Sequence, residues 1–380
     1  MQISDKIRAF ARSHAEEAIS LLKELAVIPA PSLDEGRRAH FLEKWLTEKG
    51  ADRVETDAAG NVLFPLGWDG RGPCAAAAAH MDTVFPDRTD LPLREENGRL
   101  YCPGIGDDTA NLVALLMAWL YFKENEGDLP CPLLFAADTG EEGLGNLAGM
   151  RQLFADHGGQ IDRFLSLDLT RDKVYASSVG AERYRITVKA EGGHSYHDFG
   201  RPGAIRQMAA LIGELSAIEV PKEARTTWNI GRIEGGTGVN VIPEECVILY
   251  EYRSESAACL SAMRQAMEAV LRKSRDKGLS LTCETLGIRP CESGTDREEV
   301  GRMAEAAKAV LSQFGPVTPE AASTDANIPL SLGISALTFG TCVGGGAHTR
   351  EEWVETASLE SGMIIAVEGI RACFAREERS

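Results

Sequence analysis

The sequence predicts an α/β protein with a mostly parallel central sheet and a smaller inserted domain of βαββαβ, ferredoxin-like order. Short apolar runs alternate with amphipathic segments in both terminal parts of the chain, as expected for parallel strands covered by helices. Between about residues 180 and 290 the pattern changes to longer strands with period-2 alternation. We therefore expect a discontinuous α/β domain of residues 1–179 and 291–380 and an inserted domain of residues 180–290.

The first part of the chain alternates helices and strands. A helix is predicted from Asp5, capped by Ser4, to about Ile28, and a second one over residues 34–49. The run of five alanines is short and lies between a proline and polar residues, which favours a buried strand over a helix. Strands are predicted at residues 61–66, 75–79, 133–137 and 164–167, and a buried helix at residues 112–122.

The inserted segment and the last part of the chain complete this layout. Tyr184, Ile186, Val188 and Ala190 alternate with polar residues, which predicts a half-exposed strand. Further predicted elements are a helix at residues 203–218, strands at 226–233 and 246–253, a helix at 256–277, a strand at 279–286, a helix at 296–314, a strand at 335–339 and a final helix from about 359.

Composition and charge exclude several classes of protein. Hydrophobic residues make up 44% and charged residues 26% of the 380 residues, as in ordinary globular proteins. The net charge of −17 argues against nucleic acid or an anionic membrane as a partner. The longest apolar run covers 11 residues, whereas a membrane span needs about 20. The charged N-terminus lacks an export signal, so we expect a cytoplasmic protein whose nine cysteines are reduced.

Histidine and carboxylate residues follow the predicted buried strands. His80 and Asp82 end one strand and point to the same side under strand alternation. Glu141 and Glu142 follow the next strand, and Asp168 follows a third. Each residue alone is more typical of a loop or a structural hydrogen bond. Because ligands of open α/β sheets gather at the carboxyl ends of the strands, the whole set predicts a site there.

Two more candidates lie in glycine-rich turns. Asp107 and Asp108 precede the buried helix, where one carboxylate would suffice as a cap and two are costly without a cation. His348 follows three glycines and one alanine. Five of all these residues, two histidines and three carboxylates, form a ligand set that suits two divalent ions, most naturally zinc. We expect all five candidate ligands to fall at strand ends of one sheet: His80, Asp107, Glu142, Asp168 and His348.

These motifs resemble the dizinc metallopeptidases and amidohydrolases, a family that includes acetylornithine deacetylase, succinyl-diaminopimelate desuccinylase, aminoacylases, glutamate-releasing carboxypeptidases and peptidase T. The resemblance covers nearly the whole chain. It rests on His80-Met81-Asp82, Gly104-Ile105-Gly106-Asp107-Asp108, Glu141-Glu142-Gly143, Asp168 and Ala347-His348-Thr349-Arg350-Glu351-Glu352, in the family's order.

The resemblance implies a role for each residue of the site. Asp107 would bridge two Zn²⁺ ions, for which Co²⁺ or Mn²⁺ are alternatives. His80 and Asp168 would complete the coordination of one ion, and Glu142 and His348 that of the other. Glu141 would be the general base, and Asp82 would orient His80.

For the inserted domain the resemblance implies dimerisation. His194 matches a histidine that reaches the partner subunit's active site to stabilise the oxyanion, a role for which His197 is the alternative. Asn240 and Arg253 match a pair that holds the carboxylate of the substrate. A homodimer is therefore expected. The alternative is a monomer in which the inserted domain closes as a lid.

The expected function is hydrolysis of amide bonds in small peptides or N-acyl amino acids by a zinc-bridged hydroxide, with Glu141 as base. An exopeptidase of the di- or tripeptidase or carboxypeptidase type is the first choice, and an N-acyl-amino-acid deacylase is the alternative. Thr109-Ala110-Asn111 departs from the Lys-Gly-Gly of many members, while Ser323-Thr324-Asp325-Ala326-Asn327 resembles the peptidase-T-like branch. A non-catalytic metal- or peptide-binding protein is the alternative of another class, against which Glu141 argues.

Overall fold

The chain forms two compact units in a computed structural model that describes residues 3–375. The first unit joins the chain up to Ser178 with the chain from Glu292 onward, and the second unit is Val179–Cys291. Each unit has buried apolar clusters of its own. None of the helices within the described residues combines the length and the apolar composition that a bilayer crossing requires.

The secondary structure follows the predicted alternation. The helices are α1 Asp5–Ser13, α2 Ala15–Ala26, α3 Gly36–Glu48, α4 Ala110–Glu124, α5 Ala148–His157, α6 Ala204–Ser216, α7 Ala257–Asp276, α8 Arg297–Leu311, α9 Asn327–Ser331 and α10 Ser358–Phe374. The strands are β1 Glu55–Thr56, β2 Val62–Leu66, β3 Cys74–His80, β4 Arg94–Glu96, β5 Arg99–Tyr101, β6 Leu133–Asp138, β7 Ile161–Leu167, β8 Lys173–Ser178, β9 Gly180–Lys189, β10 Gly193–His194, β11 Thr226–Gly235, β12 Val241–Ile242, β13 Glu245–Ser254, β14 Ser280–Arg289, β15 Thr318–Ala322, β16 Ser335–Phe339, β17 Gly344–Gly345 and β18 Trp353–Glu355.

A mixed sheet forms the centre of the first unit, with the strand order β1-β2-β6-β3-β7-β16-β8-β15. The strands β6, β3, β7 and β16 run parallel to one another, and β2 joins β6 antiparallel. The predicted α/β class with a mostly parallel central sheet is confirmed. Because β3 lies between β6 and β7, the carboxyl ends of these three strands are neighbours.

The alanine run forms the strand β3, as predicted, and not a helix. Its residues are fully buried and alternate between two apolar clusters: Ala75, Ala77 and Ala79 face one, and Ala76 and Ala78 face the other. Helix propensity favours alanine by less than about 1 kcal/mol per residue. Burial on both faces of a parallel sheet outweighs that preference here.

The helix α4 packs against this sheet, and the residues from Ala110 to Phe122 are buried all round. This explains its apolar composition without amphipathic periodicity, because a helix that is covered on every side needs no polar face. The turn Ile105–Thr109 leads directly into α4 and carries the acidic pair Asp107 and Asp108.

The first predicted helix is two helices in the structure, so that prediction was wrong in its continuity. The chain bends at His14, whose backbone lies outside the helical region. The Nδ1 atom of His14 lies 2.9 Å from the carbonyl oxygen of Phe10, and the two rings stack at 4.0 Å. This local contact competes with continuation of the helix and separates α1 from α2.

A second sheet of the first unit was not predicted. It has the order β17-β18-β5-β4, and its strands are only two or three residues long. Trp353 of β18 pairs with Tyr101 of β5, so the sheet joins parts of the chain that are far apart in sequence. It positions the turn Ile105–Thr109, which follows β5, and the loop between β17 and β18.

The second unit has the predicted βαββαβ order. Its antiparallel sheet has the order β11-β13-β9-β14, and side chains of α6 and α7 form one apolar cluster with it. The short strands β10 and β12 pair with each other and were not predicted. A buried carboxylate, Glu182, accepts hydrogen bonds from Tyr184, Tyr252 and Arg264 in this unit.

Candidate metal centre

Three neighbouring strands of the central sheet deliver polar side chains to one edge. His80 is the last residue of β3, Asp168 directly follows β7, and Glu141 and Glu142 follow β6. These residues are buried, with side chains 1% to 6% exposed. Buried polar groups of this kind require partners, because removing a charge from water is costly unless it is compensated.

One donor cluster consists of His80, Asp107 and Asp168, whose nearest ligand atoms all lie within 4.8 Å of one another. Nε2 of His80 lies 3.2 Å from Oδ1 of Asp107 and 3.9 Å from Oδ1 of Asp168. The Oδ1 atom of Asp168 is buried and has no hydrogen-bond partner among the described residues. Such an atom, pointing at an imidazole and a second carboxylate, fits a divalent cation.

A second cluster shares Asp107 with the first and adds Glu142 and His348. Nε2 of His348 lies 2.9 Å from Oε1 of Glu142 and 3.3 Å from Oδ2 of Asp107. The two oxygens of Asp107 therefore face different histidines. One imidazole and two carboxylates on each side fit the nitrogen and oxygen ligands that zinc, cobalt and manganese accept.

The expectation that all five residues follow strands of one sheet was wrong for two of them. Asp107 lies in the turn Ile105–Thr109 after β5, and His348 lies in the loop between β17 and β18. Both come from the small antiparallel sheet. The site thus combines strand ends of one sheet with loops of another, an arrangement that no local sequence pattern reveals.

Burial and neighbouring charges shift the pKa values of both histidines and of Asp168. Burial alone would lower the pKa of His80, but Asp108, Asp107 and Asp82 outweigh it and raise that pKa well above its usual value. Hydrogen bonds that Asp107 and Glu142 accept from the His348 ring raise the pKa of His348 to about 10. Burial raises the pKa of Asp168 well above its usual value, and the charge of Asp107 adds to the effect.

Asp82 connects the two sides of this centre. Its Oδ1 lies 3.3 Å from Nδ1 of His80, which fits the predicted orienting role. Its two oxygens also accept the backbone N–H groups of Glu141 and Glu142, at 3.0 and 2.9 Å. The carboxylate of Glu141 lies within 4.8 Å of donor atoms of His80 and Glu142, so it can reach the same space as the candidate ligands.

Several buried residues lie around the centre, and the sequence alone did not predict a role for any of them. Asp108 accepts the backbone N–H of His80, and Arg38 donates to the backbone oxygen of Met81. The carboxyl groups of Asp138 and Asp325 are fully buried, and burial raises the pKa of both well above the usual value. Asp108 and Asp325 belong to motifs named in the sequence analysis. Their interaction partners, His80 for Asp108 and Asp138 for Asp325, are distant in sequence.

The predicted oxyanion residue His194 and the predicted substrate-binding residues Asn240 and Arg253 belong to the second unit and do not all meet there. His194 lies on β10, and the backbone N–H of Ser195 donates to the backbone oxygen of Asn240. Arg253 lies near the far end of β13, where its side chain binds Glu251 at 3.1 Å. Asn240 directly precedes β12, and β12 precedes the start of β13 at Glu245. Arg253 lies eight residues after Glu245 along β13, a distance of about 26 Å. Asn240 and Arg253 of one chain therefore cannot hold the same carboxylate.

Imidazole and carboxylate donors from strand ends of an α/β sheet and from two loops gather around a shared aspartate, an arrangement typical of metal-dependent hydrolases of the peptidase and amidohydrolase class. Sequence comparison agrees with this class. The profile of Peptidase family M20/M25/M40 matches residues 76–371, and the chain belongs to this family. The family resemblance inferred from the motifs is confirmed.

A desuccinylase is similar in sequence, and two peptidase structures are similar in fold, over nearly the full chain. A succinyl-diaminopimelate desuccinylase of Bordetella petrii is 27% identical over 368 residues, which cover 90% of this chain and 94% of that protein. The structure of a Staphylococcus aureus tripeptidase superposes with a TM-score of 0.77 at 21% identity and covers 95% of this chain and 99% of that one. The Bacillus subtilis YXEP protein, a dinuclear metal binding peptidase of family M20, gives a TM-score of 0.62 at 16% identity, with coverages of 95% and 99%.

Proposed function

We propose that the protein is a metal-dependent exopeptidase that hydrolyses amide bonds of small peptides and uses two zinc ions. One observation carries this proposal: the two oxygens of Asp107 face two donor clusters, and the carboxylate of Glu141 lies beside them. Two adjacent cations are suited to binding a carbonyl oxygen and activating a water molecule. A carboxylate that is not needed as a ligand can then move protons.

The protein residues have distinct tasks in this proposal. Metal ions held by the two clusters would polarise the carbonyl group and lower the pKa of water. Glu141 accepts the proton of the attacking water and transfers it to the leaving amine. Its backbone is held by Asp82, which also faces His80. Asp82 thus keeps the base and the first histidine in a fixed relation to each other.

Zinc is the metal that we propose, on the chemistry of the donors. Each cluster offers one imidazole nitrogen and two carboxylates, and coordination of this kind leaves a position for water or substrate. Cobalt and manganese accept the same donors, so metal analysis of the purified protein decides among them.

The exopeptidase is favoured over the deacylase by the similarity to the tripeptidase, which extends over 99% of that chain. The stretch with Thr324 and Asp325, both buried, adds the resemblance to the peptidase-T-like branch. The second candidate is an N-acyl-amino-acid deacylase, supported by the 27% identity to the succinyl-diaminopimelate desuccinylase. Both reactions need the same metal site and differ in the group that the substrate presents.

We also propose that the active form is a homodimer. His194 and Asn240 lie at one end of the sheet of the second unit, and Arg253 lies at the other, about 26 Å away along β13. One small substrate can meet all three residues only if two chains contribute them. A monomer with a closing lid would leave Arg253 or His194 without a role in binding.

A panel of substrates on metal-analysed protein tests the function. The panel compares di- and tripeptides that have free termini with N-acetyl and N-succinyl amino acids. We expect peptide hydrolysis, and we expect Glu141→Gln to lower kcat by about 10²- to 10⁴-fold with the metal content unchanged. Glu351→Gln is the matched control, since Glu351 is an exposed glutamate that pairs with Arg94.

Each outcome of this panel is informative. Turnover of N-acyl amino acids alone would replace the exopeptidase by the deacylase. Unchanged turnover in Glu141→Gln would exclude this residue as the base. Bound metal without hydrolysis of any member of the panel would favour a non-catalytic binding protein.

A further inference from the structure

The turn that carries Asp107 is held by a single buried carboxylate, that of Glu352. Its Oε2 accepts the backbone N–H of Gly104 at 2.9 Å, and its Oε1 accepts those of Gly106 and Asp107 at 2.7 and 2.8 Å. Glu352 is 1% exposed. A concave set of backbone N–H groups is a good anion site, and here the anion is a side chain of the protein itself.

Glycine residues permit this close approach. Gly104 has a φ of +74°, and a Cβ atom there would lie 2.3 Å from Cγ2 of Thr83. A Cβ atom on Gly106 would lie 3.2 Å from Oε1 of Glu352. The glycines of the Gly104-Ile105-Gly106 motif therefore shape the turn around the Glu352 carboxylate.

Glu352 also belongs to the segment that bears His348. Its backbone N–H donates to the oxygen of Thr349, which directly follows His348, and its own carbonyl oxygen accepts the N–H of Cys102. Both the backbone and the side chain of Glu352 thus bind the segment that ends in Asp107. The residue ties the bridging ligand to a ligand of the second cluster.

The two ligands that belong to the first cluster alone depend on other supports. His80 and Asp168 stand at the ends of β3 and β7, which pair with each other in the central sheet. The backbone N–H of His80 donates to Asp108, and its ring faces Asp82. Within the described residues, the hydrogen bonds of Glu352 go to Cys102, Gly104, Gly106, Asp107 and Thr349 and do not reach these two ligands. Glu352 thus binds the segments of two ligands of the second cluster, Asp107 and His348, but of the first cluster only the shared Asp107. A change at Glu352 should therefore weaken the second metal position more than the first.

We propose that Glu352 is a positioning residue that sets the geometry of Asp107 relative to His348 and thereby controls occupancy of the second metal position, formed by Asp107, Glu142 and His348. The proposal rests on the proposed function in that it takes both clusters to bind metal. It adds a residue that touches neither metal nor substrate and acts through the bridging ligand. The carboxylate is needed because its two oxygens accept hydrogen bonds from three N–H donors. A glutamine offers only one oxygen and turns an amide NH₂ toward backbone N–H groups.

Titration of metal-free protein with Co²⁺ tests this assignment. The wild type is expected to bind two equivalents, each followed by visible absorption and by calorimetry. In Glu352→Gln the first equivalent should bind within about twofold of the wild type, and the second should bind about 10- to 100-fold more weakly, as for other residues that support metal ligands. Glu351→Gln, the exposed neighbour, should bind both equivalents as the wild type does.

The dependence of kcat on Co²⁺ concentration is a second test, because a purely structural role would not produce it. At limiting Co²⁺ the kcat of Glu352→Gln should be low, and excess Co²⁺ should restore most of it without a change in KM. If Glu352→Gln does not fold, Glu352→Asp keeps the charge on a shorter side chain and should show the same unequal loss to a smaller extent.

The proposal is overturned if Glu352→Gln binds both equivalents normally, if both equivalents weaken equally, or if the wild type binds only one ion. A wild type that binds two Co²⁺ ions, shows the unequal loss in Glu352→Gln and yet hydrolyses no amide substrate would refute the proposed function and leave the role of Glu352 intact.

Discussion

The hydroxyl group of Ser32 donates a hydrogen bond of 2.6 Å to Oδ2 of Asp82. It also lies 3.1 Å from the backbone oxygen of Glu142. Ser32 comes from the segment between α2 and α3, so it attaches this segment to the strand ends of β3 and β6. Asp82 therefore receives a hydroxyl group in addition to the two backbone N–H groups of Glu141 and Glu142.

Asp82→Asn should impair catalysis more than Ser32→Ala does. An asparagine offers only one oxygen, so one of the N–H groups of Glu141 and Glu142 loses its acceptor and His80 loses a charged neighbour. We expect kcat/KM to fall by about 10- to 100-fold for Asp82→Asn. Ser32→Ala removes one hydrogen bond worth about 1 kcal/mol, which corresponds to about fivefold.

Steady-state kinetics at saturating metal, with the metal content of each variant measured, check this order. Ser13→Ala is a suitable control, because the Ser13 hydroxyl binds the backbone of α1 and lies outside the centre. A larger loss for Ser32→Ala than for Asp82→Asn would show that Asp82 is not the common anchor of these groups.

Local patterns were sufficient for much of this fold. The alanine run of β3, the apolar residues of α4 and the alternation from Tyr184 to Ala190 reflect burial of individual elements, and such burial is visible in any short window of sequence. The polar residues that follow β3, β6 and β7 could be related to one another because parallel strands align their carboxyl ends.

The remainder depends on pairings over long distances. The strands β5 and β18 are three residues each and are separated by more than half of the chain, so they have no periodic signature. Glu351 and Glu352 are adjacent and chemically identical in the sequence. The structure exposes Glu351 to solvent and buries Glu352 against three N–H groups of a distant turn. Only the three-dimensional arrangement distinguishes a surface charge from a support of the site.

Removal of metal should destabilise the first unit. Asp107, Asp108 and Asp168 are buried close together, and burial raises the pKa of Asp108 and Asp168 well above the usual value. Cations that bind only the folded state stabilise it by about 2.7 kcal/mol at a concentration 100 times Kd. We expect dialysis against a chelator to lower Tm and Zn²⁺ to restore it.

Calorimetry of the metal-free and metal-loaded protein measures this difference. Asp168→Asn should reduce the gain in Tm on adding Zn²⁺, because it removes a ligand, and Glu351→Gln should leave the gain unchanged. Equal Tm values with and without metal in the wild type would mean that the clusters do not bind zinc in the folded state.

Stability of the second unit should depend on Glu182. Burial alone would raise the pKa of this carboxyl group, but Arg264, Tyr184 and Tyr252 outweigh it and lower the pKa below 4.5. A lowered pKa means that the ionised carboxylate stabilises the folded state above pH 4.5. This stability is lost as the pH falls from that value through the pKa of the folded state.

Glu182→Gln should therefore lower the free energy of unfolding at pH 7 by about 2 kcal/mol. The difference from the wild type should shrink below pH 4.5. Urea unfolding at both pH values checks this, with Glu284→Gln on the exposed face of the same sheet as control. A difference that is constant with pH would show that the charge of Glu182 is not the stabilising feature.

Mixed variants can test whether two chains share each site. His194→Ala and Arg253→Ala should each lower kcat/KM when present in every chain, because the family resemblance implies an oxyanion donor at His194 and a carboxylate partner at Arg253. When the two variants are unfolded together and refolded as a mixture, some dimers contain one chain of each kind. If each site takes Arg253 from its own chain and His194 from the other chain, such a dimer has one site in which both residues are intact.

We therefore expect the mixture to regain activity that neither variant has alone, approaching about a quarter of the wild-type value for random pairing, since half of the dimers are mixed and each has one complete site. Sedimentation should show two chains per particle in all samples. Mixing Glu141→Gln with Asp168→Asn is the control without gain, because both residues belong to the same metal centre of one chain. Single-chain particles, or a mixture no more active than its components, would favour a monomer in which His194 and Arg253 of one chain act separately.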